Sequence, residues 1–136
     1  MGSFKQLNIS AQANKGIEIP VTIPGGNDGE GVITGDVLVI LSTYSERFRK
    51  AEAEGFRKIR EAMRNVEEEN GSLNDSVYEE IALNSIAHLV SEWSYDEPCT
   101  QENVKEFLDA NPHMYDIINR KAADHAAFFV DATNNC

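Results

Sequence analysis

Residues 37–66 read VLVILSTYSERFRKAEAEGFRKIREAMRNV, and the change of rhythm inside this stretch decides the fold class. Its first five residues, Val37 to Leu41, are an unbroken apolar run of strand length. Beyond Thr43 the apolar and small residues recur at three- and four-residue steps: Phe48, Ala51, Gly55, Ile59, Ala62 and Val66, widened by Phe56 and Met63. Such steps line one face of a helix. Thr43 and Glu46 stand at capping-box separation, so the spacing predicts a helix over about 43–65. Glu67 to Ser72, containing Gly71, then reads as a polar connection.

Upstream, Ile17, Ile19, Val21 and Ile23 alternate with other residues, the pattern of a strand with one buried face. Pro20 cannot donate to a ladder, which places that strand at a sheet edge. The run Pro24-Gly25-Gly26-Asn27-Asp28-Gly29-Glu30-Gly31 is turn chemistry, so 17–41 is expected to form a β-hairpin. As a phosphate cradle it lacks the lysine–hydroxyl pair, and Asp28 and Glu30 repel anions. Residues 1–14 are polar and aperiodic and are expected to be a flexible lead-in.

Downstream, Ser76 and Glu79 offer a second capping box. Val77, Ile81, Ala82, Ser85, Ile86, Leu89, Val90 and Trp93 then predict a core helix over about 75–93. Thr100 caps a short helix over about 100–109, and Asn111-Pro112 restarts the chain into a last helix over about 112–131. The expected fold is mainly α with a small N-terminal β element (α+β): about four helices around one core, preceded by the hairpin. Residues 15–136 then form a single domain, as a chain of 136 residues allows.

The formal net charge of −11 repels phosphate backbones and anionic lipid, so neither nucleic acid nor membrane is an expected partner. No window approaches the roughly 18–20 apolar residues of a membrane span, and Met1 to Gln6 lacks a signal core, which points to the cytoplasm. The charge is uneven. Residues 1–65 hold nine basic and eight acidic side chains, whereas residues 66–136 hold three and fifteen. Such asymmetry suits either contacts within one fold or a homo-oligomer packed head to tail.

No chemistry is evident. His88, His113 and His125 have no ligand spacing to one another or to a cysteine, and Cys99 and Cys136 lack paired spacing and read as free thiols. Glu67-Glu68-Glu69 reads as a solvated charge run, and no serine nucleophile signature occurs. The reading is of a non-enzyme, with no catalytic, cofactor-binding or metal-ligating residue.

The order of elements resembles a known family. The apolar run before Ser42-Thr43-Tyr44-Ser45-Glu46-Arg47-Phe48-Arg49 is similar to the N-terminal half of the tail assembly chaperones of long-tailed (siphovirus-type) bacteriophages. Leu89-Val90-Ser91-Glu92-Trp93, the linker with Tyr95 and Pro98, Thr100-Gln101-Glu102-Asn103, Asn111-Pro112 and Phe128-Phe129 extend that resemblance over roughly residues 15–130. It implies a protein of the host cell cytoplasm, absent from the mature virion. Its partners would be the hydrophobic helical tape measure protein, which it coats, and the tail tube protein, whose polymerisation it promotes. Phe48, Phe56, Ile59, Phe128 and Phe129 are the candidate partner-binding residues, because these helices carry more apolar residues than one core face buries. The same five side chains would equally serve as core. A different class of reading is a structural particle component, such as a head-tail connector or tail terminator protein.

Overall fold

The structure, a computed structural model, describes residues 2, 7–25, 31–69 and 75–134. In chain order the elements are α1 (Ile9–Ala13), β1 (Ile17–Ile23), β2 (Val32–Ile40), α2 (Glu46–Glu69), α3 (Asp75–Ala87), β3 (Val90–Trp93), α4 (Gln101–Ala110), α5 (Pro112–Ala122) and α6 (His125–Asn134). The expected α+β class, a hairpin followed by helices, is therefore correct.

β1 and β2 form an antiparallel hairpin in the register Ile17↔Ile40 to Ile23↔Val32, with an irregularity between Pro20 and Thr22. The sheet order is β1-β2-β3, so Pro20 lies in an edge strand, where a missing N–H need not interrupt a ladder. Ile19, Val21, Leu38 and Ile40 are buried against Leu89, Val90, Val104, Leu108, Met114 and Ile118. At the far end of the hairpin the alternation outruns the core: Ile23, Val32 and Ile33 are all exposed. The tip residues 26–30 of the expected turn lie outside the described residues.

Four boundaries differ from the sequence reading, each because a tertiary partner claims backbone groups that a local pattern cannot see. The first helix spans Glu46–Glu69, not 43–65, and its cap is Ser45, whose Oγ accepts from the Phe48 N–H at 3.3 Å. Upstream of it, the N–H groups of Leu41, Ser42 and Thr43 donate to the carbonyls of Leu89, Ala13 and Ala122, which holds the chain out of helix until Ser45. At its other end the helix also takes in Glu67 to Glu69, which the sequence pattern put in the connection, and residues 70–74 lie outside the described residues.

The second helix ends at Ala87 and not at Trp93. Val90–Trp93 is a strand that pairs with β2 through Leu38↔Trp93, Val39↔Glu92 and Ile40↔Val90. The expected last helix, 112–131, is two. The carbonyl of Ala122 accepts from the Thr43 N–H at 3.0 Å, and the chain breaks at Ala123 so that α6 can pack on α1 and Tyr44. Finally, Ile9–Ala13 of the expected lead-in is a helical turn capped by Asn8, with Ala13 fully buried. α3 packs on α2, α4 and α5 at once, which explains why its apolar residues are not confined to one side.

Candidate functional site

α2 changes role along its length. Phe48 and Ala51, in its first two turns, are buried in the common core. From Gly55 onward its principal neighbour is α3, and the two backbones come close because Gly55 has no side chain: a Cβ there would stand 2.8 Å from Ile81 Cγ2. Past this point the stripe opens. Ile59 is half-buried, whereas Phe56 is 55% exposed, Met63 49% and Tyr78 44%. The result is a groove of about 390 Å³ whose walls include Phe48, Phe56, Ile59, Tyr78, Ile81 and Tyr115.

Outside the groove lining, charged side chains of α2 pair along the helix. The Arg57 guanidinium binds both Glu54 and Glu61 on α2, and its hydrogen bond holds the Glu54 carboxyl below the usual carboxylate range. Lys50 pairs with Glu46 at 3.1 Å. Lys58, Arg60 and Arg64 are exposed and make no ion pair among the described residues. Burial pushes the Tyr115 phenol above its ordinary value, with Asp116 adding to the shift.

The structure divides the five candidate binding residues. Phe56 and Ile59 line the α2–α3 groove together, with Phe48 at its buried end. Phe128 and Phe129 lie elsewhere. Phe129 is 9% exposed and packs near Tyr44, His125 and Phe128, while Phe128 is half-buried against the core. Their place in the fold is to fasten α6. Tyr78, exposed on α3 in the same groove, was missed by the sequence reading; its spacing falls next to Val77 on a helix that is apolar on several sides.

A second groove, of about 640 Å³, shares no lining residue with the first. Val21 to Pro24 form one wall, Asn103 to His113 another, and Trp93, Tyr95 and Phe107 meet there. Their ring centroids are 5.4, 5.9 and 5.6 Å apart, each pair tilted or edge-on. Sequence reading placed Trp93 at the end of a core helix and had no means of joining it to Phe107, fourteen positions away; in the structure Trp93 is on β3 and Phe107 on α4.

The remaining chemistry-bearing side chains have structural partners. His88 Nδ1 donates to the Asn84 carbonyl at 2.7 Å, His113 Nε2 donates to the Thr22 carbonyl at 2.6 Å, and the His125 ring stacks on Tyr44 at 4.6 Å. Cys99 is half-buried and free; burial is the main influence raising its thiol, opposed by Arg47 and assisted by Glu92. Cys136 lies outside the described residues. Among the described residues no three His, Cys, Asp or Glu side chains cluster as a metal site would require, and no helix is long and apolar enough to cross a membrane. No protein-family model matches the chain, and neither a curated protein nor a solved structure matches it.

Proposed function

We propose that this chain is a non-enzymatic binding protein that holds an apolar helical segment of another polypeptide, in the manner of a phage tail assembly chaperone holding the tape measure protein. The observation that carries this reading is the α2–α3 groove, with Phe56 more than half exposed beside Ile59 and Tyr78. A helix-in-groove complex uses such a site: an amphipathic partner lays its apolar face into a furrow between two helices. The negative surplus keeps a chain with exposed apolar residues, and any greasy partner it carries, in solution.

The reading is tested by co-expression with a phage tape measure protein. The partner should remain soluble and co-purify with the wild-type chain, and Phe56→Asp should abolish recovery while leaving the far-ultraviolet circular dichroism spectrum helical. A partner that stays soluble and co-purifies equally with Phe56→Asp would defeat the assignment of the groove. Mass spectrometry of purified virions tests the class: a chaperone is absent from the particle, whereas a connector or terminator is present.

A further inference from the structure

The second groove differs from the first in its chemistry as well as its place. Its floor is aromatic, its wall at Val21, Ile23 and Pro24 is aliphatic, and two carboxylates, Glu97 and Glu106, stand among its lining residues. Both are exposed, and neither makes an ion pair among the described residues. Among the described residues no lysine or arginine lines it. Among the described residues the lining group able to carry positive charge is His113, and its Nε2–H is turned onto the Thr22 carbonyl. Negative potential in this region is also registered by Tyr95, whose phenol is pushed up mainly by burial and further by Asp36 and Glu97.

Aromatic rings beside uncompensated carboxylates form a site for a cation: the rings attract it through their quadrupole and the carboxylates through charge. The indole N–H of Trp93 is committed to the Glu97 carbonyl at 2.7 Å, so the ring surface is what Trp93 has left to offer. The groove is also larger than a single ammonium group requires. Its lining residue Ile23, 57% exposed, belongs to the exposed aliphatic end of the hairpin, where Val32 pairs with it in the sheet and is 53% exposed. A lysine or arginine side chain meets all of these conditions, because its stem covers apolar surface while its head seeks an anion. Apolar neighbours in the same segment would then cover the hairpin.

We propose that the groove between the hairpin end and the α4–α5 corner binds a basic segment of a partner protein, its lysine or arginine head between Glu97 and Glu106 and its apolar flank on Trp93, Tyr95, Phe107 and Ile23. This site is independent of the α2–α3 groove and stands or falls separately from the reading given above for that groove.

Trp93 is the chain's single tryptophan, so its emission reports on the site directly. The full chain is titrated, at about 150 mM salt so that distant charges are screened, with acetyl-Lys-Leu-Lys-Leu-Lys-Leu-amide and with its glutamate counterpart. The lysine peptide should shift Trp93 emission saturably and the glutamate peptide should not. Glu97→Gln with Glu106→Gln should weaken binding roughly fivefold or more, while Asp116→Asn with Asp124→Asn, an equal charge change at exposed positions on and after α5, should weaken it less than about twofold. Ile23→Lys, which sets a cation on the groove wall, should weaken it as the glutamine pair does. Absence of saturation, equal loss in both double variants, or wild-type affinity in Ile23→Lys would each overturn the proposal.

Discussion

Two glycines and two tyrosines carry the sharpest consequences for single residues. Gly16 joins α1 to β1 at φ +78°, and a Cβ there would lie 2.9 Å from Val39 Cγ1 and 3.0 Å from the Ile40 carbonyl. Gly16→Ala therefore combines left-handed backbone strain with a collision against the sheet, and urea denaturation should show a loss of about 2–4 kcal/mol. Gly55 has ordinary helical geometry, so alanine gains about 1 kcal/mol of helix propensity but costs about 1–3 kcal/mol in overpacking. The clashing atom is the branch methyl of Ile81, which is stiff in a helix, so the cost wins. Gly55→Ala should melt below wild type, and Ile81→Ala should cost less in the Gly55→Ala background than in wild type; a Gly55→Ala variant melting above wild type would refute so close an approach. The phenols of Tyr95 and Tyr115 are raised, mainly by burial, above the ordinary value of about 10. In the unfolded chain they ionise first, so their contribution to stability is intact below pH about 10 and is lost as pH rises through the folded value. Tyr115→Phe should flatten the alkaline fall of the denaturation midpoint. At this scale the sequence placed Gly55, Phe56 and Ile59 on one stripe, yet it could not separate Phe56, which faces solvent, from Phe129, which does not. That distinction depends on which neighbour arrives, and the neighbour of Phe129 is Tyr44, 85 positions upstream.

Element boundaries were legible where the chain's own side chains set them and illegible where a distant backbone group did. Thr100 caps α4 as its spacing implies, its hydroxyl accepting from the Asn103 N–H at 3.2 Å. Pro112 opens α5 as a proline at a first helical position should. Val90 and Trp93 misled because their three-residue step continues a helix face from Ile86, while the same four residues also suit a short strand; pairing with β2 selects the strand. The start of α2 supplies a direct test. Ser45→Ala removes a fully buried cap and should cost about 1–2 kcal/mol. Thr43→Ala should cost much less, because Thr43 reaches Ala122 through its backbone N–H, which alanine keeps. Equal losses in the two variants, read from thermal denaturation, would restore Thr43 as the cap.

Over the whole molecule, sign of charge and position in the chain are linked. Among residues 66–136 fifteen acids face three bases, and the ion pairs of α2 are largely internal to it. Lys105 to Glu80, between α4 and α3, is the one ion pair seen between elements among the described residues. Net repulsion therefore opposes folding at neutral pH, and raising sodium chloride from about 20 to 300 mM should raise the melting temperature by shortening the Debye length. A melting temperature that falls with salt would mean that attractive pairs dominate instead. Composition disclosed this imbalance at once, but not where the acids would gather: Glu97, in the link after β3, and Glu106, on α4, line one groove because Trp93 and Tyr95 pack on Phe107, and nothing in their spacing announces it.

The 24 residues of α2 make a rod about 36 Å long. Its near turns are wedged into the trunk by Phe48 and Ala51, and its far turns lean chiefly on α3. Such a limb can yield at the tip while its root stays fixed. If a partner helix lodges near Phe56 as proposed, a small swing of the outer turns would let it go while leaving the strands undisturbed.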